Sequence, residues 1–189
     1  MSTDTGTLFL ALLALGALAA VAVSAVLACV SRVSDAARRG FDAVRASVAG
    51  QGPALAWIVA AVATGGSLWL SEGAGFPPCE LCWYQRIAMY PLVVVLGVAG
   101  LRRDSGVRWY AIPVATVGGL VSTWHVLVER FPSLESAVSC DPANPCSIRW
   151  VERFAFLTIP TMALIAFALI ITVLLLDPGP QDIDKEPPS

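Results

Sequence analysis

Four cysteines in two short segments are the residues in this sequence best suited to chemistry. Cys79 and Cys82 form a Cys-x-x-Cys motif, and Cys140 and Cys146 enclose five residues, two of which are prolines. Thiols paired in this way can exchange disulfides, bind a metal ion or form inert disulfide clips. The spacing alone leaves all three possibilities open.

The first pair follows Pro77 and Pro78 and stands at the start of a long apolar run. This arrangement predicts that Cys79 and Cys82 lie in the first turn of a helix, where residues three apart share one face. The positive end of the helix dipole favours a thiolate over a thiol. We expect Cys82 to be the better nucleophile of the two.

Two further residues in the predicted spans, Arg86 and His125, are candidates for binding an electron acceptor. Arg86 follows Cys82 by one helical turn, and His125, the single histidine, is expected at a similar depth. The arginine could stabilise a thiolate or the anionic oxygen of a reduced quinone, and the histidine could donate a proton to a quinone carbonyl. Alternatively, Arg86 could extend to the lipid headgroups, and His125 could bond to a neighbouring helix.

The second pair closes a ring too small to stabilise the chain strongly. In the loop-entropy model a disulfide that closes ~15 residues contributes ~3 kcal/mol, and shorter loops contribute less. Exposed disulfides readily undergo thiol–disulfide exchange, so a redox role for this pair is favoured over an inert structural disulfide. A zinc site made by all four cysteines is disfavoured by the five-residue spacing of the second pair, and we predict no metal site.

The composition indicates that the solvent of this chain is lipid. Hydrophobic residues make up 57% of the sequence and charged residues only 14%. Five runs are long enough to cross a membrane, which takes ~20 apolar residues, and chains in lipid must be helical to satisfy their backbone groups. The runs extend from Leu8 to Val30, Pro53 to Leu70, Trp83 to Leu101, Val107 to Val128 and Phe154 to Leu176. We predict an all-α polytopic membrane protein, a four-helix transmembrane bundle with an extra N-terminal transmembrane helix.

Arginines in two short loops predict the orientation, because basic residues stay on the cytoplasmic side. Four lie between positions 32 and 45, and three between positions 102 and 108. The N-terminus and the loops 71–80 and 129–153 are then outside, in a compartment where disulfides persist. A net charge of −2 with a single basic cluster in each inner loop is not the pattern of a nucleic-acid-binding protein, so that class is excluded.

These predictions divide the chain into three parts. Residues 1–52 form an N-terminal transmembrane helix with an Arg-rich cytoplasmic linker, residues 53–176 form the four-helix redox bundle, and residues 177–189 form a flexible acidic cytoplasmic tail. Cys29, near the inner end of the first span, is expected to be a small buried apolar residue.

The segments around the cysteines resemble the disulfide bond formation protein B (DsbB) family, especially its BdbC branch with a short second cysteine loop. The first motif runs from Cys79 through Arg86 to Pro91, and the second runs from Cys140 to Trp150 and continues at Thr158-Ile159-Pro160. The resemblance extends over residues 55–175. It implies a membrane oxidoreductase that supports disulfide bond formation.

The resemblance also implies a role for each site residue. A DsbA-like thioredoxin-fold thiol oxidase would form a mixed disulfide with Cys140, and Cys146 would resolve it. Electrons would then pass to Cys79 and Cys82 and from there to ubiquinone or menaquinone in the cell membrane. Cys82 would engage the quinone, Arg86 would stabilise negative charge on it, and His125 would be a further quinone contact.

Two other protein classes share some of these features. A vitamin K epoxide reductase-like enzyme carries its Cys-x-x-Cys after its loop cysteines, whereas here Cys79 and Cys82 come first. The second alternative is a non-enzymatic membrane protein with structural disulfides or zinc. Activity that does not depend on the cysteines, or zinc bound in stoichiometric amount, would favour it.

Overall fold

The computed structural model describes residues 2–138 and 140–178 and contains five helices long and apolar enough to span a membrane. They are α1 (Thr3–Val30), α3 (Gly52–Leu68, extended by a π-helical turn at Trp69–Gly73), α4 (Glu80–Arg102), α5 (Arg108–Arg130) and α6 (Ile159–Leu176). A shorter helix, α2 (Asp35–Val48), follows α1. The smaller elements are 3₁₀ turns at Ser105–Val107 and Pro132–Ala137 and an antiparallel hairpin of β1 (Glu152–Arg153) and β2 (Leu157–Thr158). The prediction of an all-α polytopic membrane protein is confirmed.

Helices α3 to α6 form the central bundle. Helix α3 packs against α4 and α6, and α5 packs against α4 and α6. Leu92 and Leu96 of α4 and Phe167 and Ile170 of α6 are among the side chains fully enclosed there. Gly118 of α5 faces the ring of Phe167 so closely that a Cβ would clash with it. Small residues at such crossings let helices approach in lipid, where packing rather than the hydrophobic effect holds them together.

Helix α1 lies outside this bundle and packs against α6. Ala11 and Ala14 of α1 form a buried cluster with Leu157 and Ile165. Beyond α1, the amphipathic α2 has no buried residue, and its Arg45 donates to the carbonyl of Leu176 at 3.5 Å. Helix α2 is thus placed beside the end of α6.

One end of the bundle carries both cysteine pairs, and we call it the cysteine end. There Arg153 donates to Thr7 Oγ1 at 2.8 Å and pairs with Asp4, so the start of α1 lies beside the segment before α6. Asn144 of the second cysteine loop donates to the carbonyl of Pro77, next to the first pair, at 3.5 Å. The N-terminus and both cysteine segments therefore lie at the same end of the bundle.

Two sequence-based expectations are corrected by the structure. The last helix begins at Ile159 rather than near Phe154, because Phe154 and Ala155 have left-handed φ values of 53° and 63° that turn the chain into the hairpin. Cys29 is exposed rather than buried, since α1 is covered on one side only and Cys29 lies on an uncovered face. Of the predicted acidic tail, residues 179–189 lie outside the described residues.

Candidate functional site

The Cys-x-x-Cys pair stands at the N-terminus of α4, as predicted. Cys79 is the N-cap residue, with an extended backbone (φ −74°, ψ 174°), and Cys82 lies in the first turn. Both side chains are free thiols, and their sulfurs lie 3.0 Å apart, within hydrogen-bonding distance. The pair therefore has the geometry of a reduced dithiol that can close to a disulfide.

His125 of α5 joins the two cysteine pairs. Its Nε2 lies 3.1 Å from the carbonyl oxygen of Cys146 and 3.7 Å from the sulfur of Cys79. A carbonyl oxygen only accepts, so Nε2 carries the proton. The amide nitrogen of Gln85 lies 3.0 Å from Nδ1 and donates to it, which fixes the same tautomer from the other side of the ring.

These contacts lower the pKa of Cys79 from 9.0 to about 4. The largest cause is the hydrogen bond from the Cys82 thiol, and His125 acts in the same direction, while burial opposes both. The reduced pair therefore holds its thiolate on Cys79. Helix position alone predicts that the second cysteine is the better nucleophile. That prediction does not include His125, which is 46 residues from Cys79 in sequence but contacts its sulfur.

Arg86 is held inside the bundle rather than extended to a surface. Its side chain is 8% exposed, and both Nε and Nη2 donate at 3.0 Å to Ser67 of α3, to the hydroxyl and the carbonyl oxygen respectively. Its guanidinium carbon also lies 5.1 Å from the centre of the Trp83 ring, a cation–π distance. These contacts fix the charge one helical turn below Cys82.

Cys140 and Cys146 are joined by a disulfide in the loop between α5 and α6. Glu135 organises this loop, because its carboxylate accepts from the backbone nitrogens of Cys146 and Ser147 and, at 2.7 Å, from the Ser147 hydroxyl. Cys146 is 1% exposed and packs in one buried cluster with Cys79, whereas Cys140 is only partly buried. The loop therefore turns one sulfur inward to the first pair and leaves the other more accessible.

A cavity of about 450 Å³ extends from the first cysteine pair into the bundle. Polar or reactive side chains converge at its cysteine end, among them Cys79, Cys82, Gln85, Arg86, His125 and Glu129. The remaining walls are mostly apolar side chains of α1, α3 and α6. A volume of ~300–1,000 Å³ with a few convergent polar groups is typical of small-molecule sites.

Glu129 and Gln85 also belong to this site, although the sequence motifs do not indicate them. Glu129 is 6% exposed and lines the cavity. It follows His125 by four residues on the same helical face, a spacing that could have revealed it. Gln85 gave no such signal, because its role depends on the contact between α4 and α5.

Within the described part of the chain, two groups of side chains lie close enough together to hold a metal ion. They are Cys79, Cys82 and His125, and Glu135, Cys140 and Cys146, with ligating atoms within 4.8 Å of one another. In the second group the sulfurs are bonded to each other and the carboxylate is hydrogen-bonded. In the first group Nε2 of His125 faces the carbonyl of Cys146, and structural zinc takes four ligands. The arrangement suits thiol exchange better than metal binding.

Comparison with known proteins agrees with this geometry. The model of the family described as disulfide bond formation protein DsbB matches residues 51–176. The chain belongs to the DsbB family. It is 46% identical over 123 residues to disulfide bond formation protein C of Bacillus subtilis, covering 65% of this chain and 89% of the relative. A probable disulfide formation protein of Oceanobacillus iheyensis is 42% identical over 123 residues, covering 65% and 85% of the two chains.

A third relative, probable disulfide formation protein C 2 of Bacillus anthracis, is 40% identical over 121 residues, or 64% of this chain and 86% of the relative. No solved structure matches the chain. The DsbB-family region contains α3 to α6 and every site residue described above, whereas α1 and α2 precede it. The protein is therefore a membrane thiol–disulfide oxidoreductase, and a vitamin K epoxide reductase-like enzyme is set aside.

Proposed function

We propose that this protein reoxidises a DsbA-like thioredoxin-fold thiol oxidase on the outer face of the cell membrane and passes the electrons to a membrane quinone. One observation carries the proposal: His125 contacts both cysteine pairs at the polar end of a ligand-sized cavity. A relay needs its two disulfide centres next to each other and next to the site of the final acceptor, and this arrangement meets both needs.

Exposure favours Cys140 as the point where the partner attacks. A thiolate of the partner would displace Cys146 from Cys140 and form a mixed disulfide. The second thiol of the partner would then release Cys140, which leaves the partner oxidised and Cys140 and Cys146 reduced. Because Cys140 is the more accessible of the two sulfurs, it is the one that a folded partner can reach.

Transfer between the two centres would use the buried sulfurs. The Cys146 thiolate would attack Cys79 of an oxidised Cys79–Cys82 pair and free Cys82, and Cys140 would then resolve the Cys79–Cys146 bond. The second pair would be oxidised again and the first pair would carry the two electrons. The structure has this distribution, with Cys140 and Cys146 bonded and Cys79 and Cys82 free.

The cavity fits a quinone by shape and by chemistry. Its polar end offers the guanidinium of Arg86, fixed by Ser67, and its walls are apolar. When bound, a quinone supplies a lipid-soluble acceptor for two electrons and two protons. Cys82 and Arg86 line the cavity together, so Arg86 would hold a ligand oxygen and stabilise negative charge, while His125 would keep the thiolate on Cys79. Both ubiquinone and menaquinone fit this description.

Two sets of arginines support an outward-facing cysteine end. The arginines at positions 32–45 and 102–108 lie at the opposite end of the bundle. Because basic loops are retained on the cytoplasmic side of a membrane, that end would face the cytoplasm. Arg149 and Arg153 of the cysteine end are engaged within the protein. Arg149 contacts Glu152 and the carbonyl of Glu129, and Arg153 contacts Thr7 and Asp4.

The deciding experiment is quinone reduction by the purified protein in detergent, followed by absorbance. A reduced thioredoxin-fold dithiol serves as electron donor, and Cys140→Ser is the control. Reduction that depends on Cys140 is the expected result. If folded protein reduces neither a ubiquinone nor a menaquinone, the proposal is wrong, and bound zinc measured by mass spectrometry would then support a metal-binding role.

A further inference from the structure

Helix α1 lies outside the DsbB-family region and yet forms part of the cavity wall. The α1 residues that line the cavity run from Leu10 to Ala20, which corresponds to roughly 15 Å of helix at 1.5 Å per residue. They are all apolar: Leu10, Leu13, Ala14, Gly16, Ala17 and Ala20. The wall faces Ile58 and Val62 of α3 and Met162 of α6. Away from the cysteines, the cavity is therefore walled mainly by α1, α3 and α6.

Helix α1 is anchored at a defined height by polar and close contacts. Arg153 donates to Thr7, and Thr7 is 3% exposed. The ring of Trp69 lies against Gly6 where any side chain would clash, and Gly66 of α3 receives the side chain of Leu10. These contacts hold α1 in a defined position along and around its axis, with the Leu10–Ala20 face against the cavity.

We propose that α1 forms the binding wall for the apolar tail of the quinone, so that this protein selects quinones with a long tail over the same ring without one. The inference rests on the proposed function, since it concerns the same cavity. The polar groups at the cysteine end suit the ring, and the apolar stretch from Leu10 to Ala20 offers a tail nothing but hydrocarbon contact. Because the tail would otherwise lie in lipid, close packing against this wall, rather than transfer out of water, would supply the preference for a tailed quinone.

Gly16 is a position on the wall where a side chain can be added without a clash at its Cβ. It lines the cavity, and a Cβ at this position meets nothing within 4 Å. A phenylalanine there would occupy space that the tail otherwise uses. Gly65 of α3 is the matched control, because a Cβ there also meets nothing within 4 Å, but Gly65 does not line the cavity.

The test measures equilibrium binding to the oxidised protein in detergent by quenching of tryptophan fluorescence, so no turnover is involved. The probes are a dimethoxy-methyl-benzoquinone with a decyl tail and the same ring without a tail, and a naphthoquinone pair of the same design. In Gly16→Phe we expect the Kd of the tailed probes to rise about tenfold, which corresponds to ~1.4 kcal/mol. The Kd of the tailless probes should not change, and Gly65→Phe should bind all probes like the unaltered protein.

Each other outcome contradicts a separate claim. Equal weakening of tailed and tailless probes in Gly16→Phe, or no weakening of either, would overturn the role of α1 while leaving the quinone site in place. The role of α1 would also be wrong if the tail gave no advantage in the unaltered protein. Absence of binding by every probe to the unaltered, folded protein would instead refute the proposed function itself. Equal thermal unfolding of the two variants ensures that a difference in Kd is not a loss of fold.

Discussion

The Nε2 atom of His125 lies 3.7 Å from the sulfur of Cys79, and the same nitrogen contacts the carbonyl oxygen of Cys146. Since Gln85 occupies Nδ1, the ring cannot turn to another partner without losing a buried hydrogen bond. The single N–H of Nε2 is therefore held in place and shared between the carbonyl oxygen of Cys146 and the sulfur of Cys79. This relationship links the charge of the first cysteine to the position of the second cysteine loop.

Replacing His125 by alanine should raise the pKa of Cys79 above its present value of about 4. A lowered pKa means that the thiolate persists as the pH falls and is lost only below the pKa, so the loss should occur at a higher pH in the variant. The rate of alkylation of Cys79 by iodoacetamide between pH 4 and 9, followed by mass spectrometry, measures this shift. The hydrogen bond from Cys82 remains, so the shift should be partial.

His125→Asn is the matched variant, because its amide retains a donor for Cys79. Its alkylation profile should lie between those of the alanine variant and the unaltered protein. Identical profiles for all three proteins would show that His125 does not control the charge of Cys79.

Sequence patterns predicted those parts of the molecule that depend on local composition. Hydrophobic run length is enough to locate five helices, and arginine and cysteine placement is enough to bring Cys79 and Cys140 to one end. The start of α6 was placed too early because Phe154 and Ala155 are not residues whose types indicate a left-handed backbone. Apolar composition alone gave no hint that Cys29 lies on an uncovered face.

Contacts between side chains of different helices could not be predicted from the sequence. Ser67 as the partner of Arg86, and Gln85 as the partner of His125, follow from the way α3 and α5 lie against α4. Nothing in the sequence distinguishes Glu135 from other acidic residues in loops, although its carboxylate accepts three hydrogen bonds from the second cysteine loop. Such roles depend on helix rotation and loop path, which no single-sequence pattern specifies.

Arg86→Ala should weaken quinone use while the cysteines still exchange with the dithiol donor. Loss of a hydrogen bond to a charged group costs ~1.5–3 kcal/mol, so the apparent KM for quinone should rise about ten- to a hundredfold. Steady-state kinetics with varied quinone, together with single-turnover oxidation of the donor, separates the two effects. Ser67→Ala, which leaves the charge but removes the bond to Nε, should give a smaller rise. An unchanged quinone KM in Arg86→Ala would remove this residue from the site.

Cys82→Ser should abolish quinone reduction and still permit one round of exchange at the second pair. The Cys140–Cys146 disulfide does not involve Cys82, so it can oxidise about one equivalent of donor before the relay stops. Donor thiols are counted by a colorimetric reagent while quinone is followed by absorbance. Cys29→Ser is the control, because Cys29 lies on α1 outside the cavity and should be dispensable. Continued turnover in Cys82→Ser would rule out the relay as described.

Glu135→Gln should loosen the second cysteine loop. An amide oxygen accepts more weakly than a carboxylate, and hydrogen bonds to a charged group exceed neutral ones by roughly a factor of two. Hydrogen–deuterium exchange should therefore accelerate at the backbone nitrogens of Cys146 and Ser147, which now donate to Glu135. Ser136→Ala, at an exposed residue whose hydroxyl contacts only its own turn, serves as control. Unaltered exchange in Glu135→Gln would mean that the loop is held by other contacts.

Neighbouring glycines of α5 test whether close helix contact supports the bundle that carries the site. A Cβ at Gly118 would clash with the Phe167 ring, whereas a Cβ at Gly119 meets nothing nearer than 3.8 Å. Gly118→Ala should therefore destabilise the protein by ~1–3 kcal/mol through overpacking. Gly119→Ala should be neutral or stabilise it by up to ~1 kcal/mol, since alanine is the better helix former.

Thermal unfolding in detergent, followed by circular dichroism, compares these two variants. Adding Phe167→Leu to Gly118→Ala should recover part of the loss, because it removes the ring atoms that the new methyl group meets. The recovery isolates the contact as a coupling between two residues rather than a general effect of alanine in the helix. If Gly118→Ala and Gly119→Ala unfold at the same temperature, the α5–α6 contact at Phe167 does not limit the stability of the bundle.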